Sequence, residues 1–71
     1  MTNDISNQPR ILRLPAVEAA IGCKKSFIYA AIQRGEFPRP VSLSSKAKGW
    51  LASEVQSWIM NRAALRDGSL P

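Results

Sequence analysis

The side chains of this sequence that are able to do chemistry are cationic and hydrogen-bonding rather than catalytic. The chain has no histidine, one cysteine, Cys23, and five carboxylates that are scattered along it. Neither Cys23 nor any serine has an evident base to activate it. A lone thiol cannot make a structural zinc site, and no acidic pair has metal-ligand spacing. The sequence therefore predicts that the chain is not an enzyme and that it needs no metal or other cofactor.

The positive charge lies in the middle of the chain. Ten lysines and arginines oppose five aspartates and glutamates, giving a net charge of +5. Between Cys23 and Trp50, six basic residues accompany a single acidic one, Glu36, whereas the charges elsewhere cancel. Clustered positive charge on a small domain is typical of a protein that binds a polyanion, most often a nucleic acid. The alternative is a solvated basic face that serves solubility alone.

Two short helices must position the first of these cations. Pro15 suits the first turn of a helix, and the apolar spacing predicts a helix over Pro15–Ile21. Its expected core positions are Val17, Ala20 and Ile21. Gly22 follows as the expected left-handed stop.

A second helix is predicted over Lys24–Arg34, and Gly35 ends it. Ile28, Ala31 and Ile32 fall on one face, with Phe27 at its margin. The opposite face is polar and basic, formed by Lys25, Ser26, Tyr29, Ala30 and Gln33. Two helices joined by a glycine-containing turn, the second with a polar free face, make a helix-turn-helix pattern.

A β-hairpin is expected after the second helix. Pro38 and Pro40 prevent that helix from continuing. Val41–Leu43 alternates like a strand, Trp50 marks a second extended piece, and a basic, flexible tip over 44–49 lies between them. The earlier segment Ile11–Leu14 is also expected to be extended.

A third helix is predicted over Glu54–Leu65. Ser53 as N-cap and Gln56 three residues later form a capping box. Five apolar residues of the second half of the chain are assigned to the core: Phe37, Trp50, Val55, Trp58 and Ile59. Cys23 is expected to be a small buried hydrophobe. The predicted fold is mainly α with a small β-hairpin, a winged helix-turn-helix of three helices plus a wing.

Six stretches of the sequence together resemble a known family. They are Ile11–Pro15, Ile21–Gly22, Ser26–Tyr29, Ile32–Val41, Trp50 and Ser53–Ile59. The most specific combination is G-x-F-P-x-P-V followed by W and by S-E-V-x-x-W. Over Arg10–Leu65 the chain resembles the AlpA family of small prophage-associated transcriptional regulators, whose fold is related to phage excisionases and to the DNA-binding domain of MerR proteins. The resemblance implies a DNA-binding regulator, with a possible part in excision.

On this interpretation the second helix enters the major groove of DNA. Ser26 and Gln33 are of the types that hydrogen-bond to bases, and glutamine pairs with adenine. Lys24 and Lys25 bind guanine or phosphate. Tyr29 is expected to donate a hydrogen bond to a backbone oxygen, the role that the resemblance implies. Arg34 either clamps a phosphate or interacts with the C-terminal end of the helix dipole.

The hairpin supplies the second set of candidate contacts. Its tip carries Ser44, Ser45, Lys46 and Lys48, which suit phosphates or the negative minor groove. Arg39, between two prolines, has a stiff backbone that can aim it at a phosphate. For each of these residues the alternative is an ordinary solvated surface side chain.

The predicted organisation is an N-terminal disordered arm (1–9), a DNA-binding domain (10–65) and a flexible C-terminal tail (66–71). Double-stranded DNA is the expected partner, with possible self-association on it, and no small-molecule substrate is evident. With no signal peptide and no apolar stretch near ~20 residues, we expect a cytoplasmic protein without a membrane span. Two other functions stay open: an architectural DNA-bending protein with little sequence specificity, and a protein-interaction adaptor with a degenerate DNA-binding fold.

Overall fold

The computed structural model describes residues 10–68, which form three helices and a small antiparallel sheet. The predicted N-terminal arm and the last three residues of the chain lie outside the described residues. The elements in chain order are β1 (Ile11–Leu12), α1 (Leu14–Ile21), α2 (Lys25–Gln33), β2 (Val41–Ser42), β3 (Lys48–Leu51) and α3 (Ala52–Asp67). None of these helices has the length and apolar character that a membrane crossing requires. The architecture is the predicted winged helix-turn-helix.

The sheet has one strand more than the predicted hairpin. β3 is central and pairs antiparallel with both β1 and β2. Leu12 lies opposite Trp50, and Val41 lies opposite Gly49. Gly49 is buried, and a Cβ added there would clash with the Cγ2 atom of Ile11. The glycine therefore allows β1 to lie close against the wing.

The glycines that follow α1 and α2 end these helices as predicted. Gly22 adopts a left-handed conformation with φ 73°. Gly35, with φ 74°, donates a hydrogen bond to the carbonyl of Ile32, while Glu36 donates to that of Ala31. These two bonds form a Schellman motif. It turns the chain sharply after α2 and brings Phe37 into the core.

The predicted capping box is wrong. α3 begins at Ala52, with Leu51 as its N-cap and no side-chain cap hydrogen bond. The central strand passes directly into the helix, and the Ala52 N–H donates to the carbonyl of Arg10 over 2.8 Å. Sheet pairing thus starts the helix before Ser53, whose hydroxyl is left inside the first turn. The helix also continues two residues beyond the predicted end, to Asp67.

The core draws residues from every helix and from the central strand. Its six buried apolar residues are Val17, Ile28, Ala31, Phe37, Trp50 and Val55. Trp58 and Ile59 are half-buried and pack against this cluster. Ala20, in contrast, is exposed, because α1 packs through a narrower stripe of Leu14, Val17 and Ile21. Cys23 is half-buried, and its thiol is 3.7 Å from the carbonyl oxygen of Ile21.

Candidate nucleic-acid interface

Helix α2 presents to solvent the face that the sequence predicts. Lys25, Ser26, Tyr29 and Gln33 are all exposed, whereas Ile28 and Ala31 on the opposite side are buried. The helix is two residues shorter than predicted, because Lys24 is its N-cap and Arg34 its C-cap. Its nine residues span roughly 14 Å. α2 is therefore a short helix with a polar free face of contiguous hydrogen-bonding side chains.

Two tryptophans fix the path of the chain from α2 to the wing. The indole N–H of Trp50 donates to the carbonyl of Pro38 over 2.9 Å, and that of Trp58 donates to the carbonyl of Glu36 over 2.8 Å. Between these carbonyls, the ring of Phe37 packs edge-on against Trp58 with 5.1 Å between centroids. The connecting segment between α2 and β2 (residues 34–40) is thereby anchored by two indole N–H groups. These hydrogen bonds set where the wing lies relative to α2.

Tyr29 lies where α2 meets the wing. Its ring packs edge-on against buried Trp50, with 6.3 Å between centroids, and 41% of the residue remains exposed. It lines two adjoining depressions. The first, of about 290 Å³, is also lined by Arg13, Ser45, Lys46 and Lys48. The second, of about 350 Å³, is also lined by Gln33, Arg39 and Lys48. We name these two depressions together the basic groove.

The basic groove brings together six of the eleven candidate residues: Tyr29, Gln33, Arg39, Ser45, Lys46 and Lys48. Among the described residues that line it, none is acidic. Positive charge from the connection, the wing tip and β3 therefore converges on the exposed side of α2. This arrangement attracts an anionic ligand that is long enough to touch both the helix and the wing.

Other candidates lie away from this groove. Lys24 lines a separate depression between α1 and the turn, next to Glu18. The guanidinium of Arg34 forms an exposed ion pair with Glu36 over 3.0 Å. Lys25 and Ser26 are exposed in the first turn of α2. The structure therefore gives Arg34 a carboxylate partner that neither predicted role includes.

The wing tip is closed by hydrogen bonds of its own. The N–H of Leu43 donates to the carbonyl of Ala47 over 2.8 Å. The hydroxyl of Ser44 accepts a hydrogen bond from the Lys46 N–H over 3.2 Å, while the Ser42 hydroxyl donates to the Ser44 carbonyl. Ser44 thus shapes the turn that presents Lys46, and its hydroxyl proton is still available for a ligand.

Sequence reasoning missed Arg13 as a member of this site. Its Nε–H donates to the main-chain carbonyl of Lys48 over 3.0 Å, which places the guanidinium at the base of the wing. Arg13 lies outside the basic segment of the sequence, 35 residues from Lys48. Only the pairing of β1 with β3 brings the two together. A prediction of this third strand and its register would have found it.

A second concave region lies between the segment that follows α2 and helix α3. It is about 460 Å³ in volume, and its lining residues include Glu36, Pro38, Glu54, Trp58 and Asn61. We name it the acidic groove, because Glu36 and Glu54 are the charged residues among its described lining.

Comparison with known proteins identifies the family of this chain. Residues 10–63 match the family described as "Prophage CP4-57 regulatory protein (AlpA)". An uncharacterized protein of Enterobacteria phage P4, ORF88, is 48% identical over 59 residues, which cover 83% of this chain and 67% of that protein. The "DNA-binding transcriptional activator AlpA" of Escherichia coli is 34% identical over 62 residues, covering 79% of this chain and 89% of that protein. The family match spans most of the described fold, including α2, the wing and most of α3, and the chain therefore belongs to the AlpA family of prophage regulatory proteins.

Proposed function

We propose that this chain is a transcriptional regulator of a prophage or other mobile element, and that it binds specific sequences of double-stranded DNA. The observation that carries the proposal is the basic groove, in which four cations adjoin the polar face of α2 without a carboxylate among the described lining residues. A relative 34% identical is named a DNA-binding transcriptional activator, which supports the same function here.

Helix α2 supplies the sequence-reading contacts in this proposal. The major groove of B-DNA is about 12 Å wide and admits one α-helix. Ser26 and Gln33 are exposed on the free face of α2 and carry the groups that hydrogen-bond to base edges. Lys24 and Lys25 at the start of the helix bind guanine or a nearby phosphate. Tyr29, whose ring packs against Trp50, donates a hydrogen bond from its hydroxyl to an oxygen of the DNA backbone at the junction of α2 and the wing.

The wing and the connection supply contacts to the DNA backbone. Lys46 and Lys48 face the first depression of the basic groove, and Arg39 faces the second. Phosphate contacts fix the register of a protein on DNA and contribute affinity for every sequence. The wing therefore contacts the adjacent DNA backbone or minor groove, and these contacts keep α2 in the major groove.

Several copies are expected to act on one DNA site. A single small DNA-binding module buries only about 600–1,000 Å² of protein surface, which limits the affinity of one chain alone. We propose that copies bind repeated or inverted half-sites and that the regulated gene promotes excision of the element. The excision role is supported by the family resemblance.

The test is a titration of the full chain against duplexes that it selects from a random pool, with random duplex as reference. Lys46→Ala should weaken binding to all duplexes about fivefold at 0.15 M salt and reduce the slope of log K against log salt by about 0.9. Ser26→Ala and Gln33→Ala should instead weaken binding mainly to the selected duplexes. Arg66→Ala is the matched control, since this arginine lies in the last turn of α3 and already pairs with Asp67.

Three results would contradict the proposal. Equal losses of affinity on every sequence from Lys46→Ala, Ser26→Ala and Gln33→Ala would contradict the assignment of base contacts to α2 and phosphate contacts to the wing. A bend in permuted fragments with no preference over random duplex would instead indicate an architectural protein. Binding to an acidic polypeptide, with no protection of duplex in a footprint, would indicate an adaptor.

A further inference from the structure

Arg13 differs from three other arginines of the described chain in what its guanidinium contacts. Arg34 pairs with Glu36, and Arg66 pairs with Asp67. Arg62 lies over the ring of Trp58, 5.1 Å from its centroid. Arg13 donates instead to a neutral main-chain carbonyl, and within residues 10–68 no carboxylate pairs with it. Its positive charge is thus not compensated by an ion pair there.

Both ends of the Arg13 residue are held. Its backbone forms the N-cap of α1, and its carbonyl accepts the Val17 N–H over 3.0 Å. At the tip of the side chain, Nε–H is bound to the carbonyl of Lys48. A guanidinium has five N–H donors in a fixed plane, so the four on its two terminal nitrogens remain available. This hydrogen bond therefore orients the planar guanidinium, a fork of donors, at the base of the wing.

The depression that this fork borders has the composition of an anion site. Arg13, Lys46 and Lys48 contribute three positive charges, and Tyr29 and Ser45 contribute two hydroxyls. No acidic side chain is present among the described residues around it. Arginine binds the paired oxygens of a phosphate in a bidentate manner, whereas lysines act as point charges. A phosphodiester of the DNA backbone satisfies both kinds of donor.

We propose that Arg13, together with Lys46 and Lys48, binds one phosphate of the DNA backbone at the junction between the start of α1 and the wing. This inference rests on the proposed function, and it adds Arg13, which lies outside the basic part of the sequence between Cys23 and Trp50. Because Arg13 also binds the carbonyl of Lys48, the phosphate bridges α1 and the wing and holds the wing in its bound position.

The test combines Arg13 variants with duplexes that carry a single neutral methylphosphonate at successive positions. Arg13→Gln should weaken binding about fivefold at 0.15 M salt, equally on selected and random duplexes, and lower the salt slope by less than about 0.9, because Lys46 and Lys48 still contact the same phosphate. Arg13→Lys should keep the salt slope but not recover full affinity, because lysine lacks the fork. Arg66→Gln is the control variant, and it should leave both quantities unchanged.

The methylphosphonate series separates a direct contact from a structural role. One position should weaken binding of the unmodified chain clearly more than it weakens binding of Arg13→Gln, since the variant keeps only the lysine contacts to that phosphate and the two losses are therefore not additive. Additive losses at every position would overturn the proposal and leave Arg13 as a structural residue. Tight binding of inorganic phosphate without DNA, abolished by Arg13→Gln, would overturn it in favour of a free anion as ligand.

The two proposals fail in different ways. If the unmodified chain binds no duplex, the proposed function itself is wrong. If it binds duplex and Lys46→Ala lowers the salt slope, but Arg13→Gln keeps the full slope and the same methylphosphonate pattern, only the Arg13 site is wrong.

Discussion

The basic groove and the acidic groove are both lined in part by residues of the segment that follows α2, and they differ in charge. The acidic groove, at about 460 Å³, is larger than either depression of the basic groove, at about 290 and 350 Å³. Its charged side chains are Glu36 and Glu54, whereas the described lining of the basic groove carries four cations. The two regions therefore differ mainly in the charge of their lining, and on the proposed function the smaller, basic depressions are the ones that bind DNA.

The same tryptophan supports both regions. Trp50 lines the basic groove and donates its indole N–H to Pro38, a residue of the acidic groove. It is 1% exposed and belongs to the core. The packing of this one ring therefore supports residues that line both grooves.

The largest effect is expected from Trp50→Ala, which removes a buried indole that lines the basic groove and binds the carbonyl of Pro38. Truncating a buried tryptophan costs about 3–5 kcal/mol, a large part of the total stability of a domain this small. Urea denaturation should show a chain that is largely unfolded at 25 °C. Trp58→Phe is the comparison, because its partner, the carbonyl of Glu36, lies near the surface and water can replace the lost N–H. Equal losses from the two variants would contradict the assignment of Trp50 as the central support.

A smaller effect should distinguish the two grooves by charge. Lys48→Gln removes a cation that lines both depressions of the basic groove, and should weaken DNA binding about fivefold at 0.15 M salt. Glu54→Gln should change the affinity by less than about twofold and in the favourable direction, because salt screens charges beyond about 8 Å. Fluorescence anisotropy with one labelled duplex measures both. Losses of DNA affinity of similar size from the two variants would contradict the proposal that only the basic groove binds DNA.

The smallest effect is expected at the edge of the acidic groove, from Ser53→Ala. A serine that caps a helix contributes about 1 kcal/mol, but Ser53 makes no cap hydrogen bond. Alanine also has the highest helix propensity. The free energy of unfolding should therefore change by less than about 0.5 kcal/mol in urea titrations. A loss of 1 kcal/mol or more would instead indicate that Ser53 caps α3, as the sequence predicts.

The local elements were predictable because their signals are local. Gly22 and Gly35 end α1 and α2 where a left-handed residue is needed, and the apolar spacing of Ile28 and Ala31 assigns the buried face of α2. Errors arose where tertiary contacts overrode a local preference. Ser53 has the sequence context of an N-cap, yet the pairing of β3 with β1 starts α3 at Ala52.

Taken alone, the sequence determined the order of the helices, the exposed face of α2 and the basic character of the wing, because periodicity, glycine conformation and charge are properties of neighbouring residues. Only the tertiary structure decided which charges act together. It joined Arg13 to Lys48, assigned Arg34 to Glu36 and placed Tyr29 between two depressions. The contact of Arg13 with Lys48 depends on strand register, which links residues far apart in the chain, and that of Arg34 with Glu36 depends on the turn that follows α2. Neither contact leaves a periodic signal in the sequence.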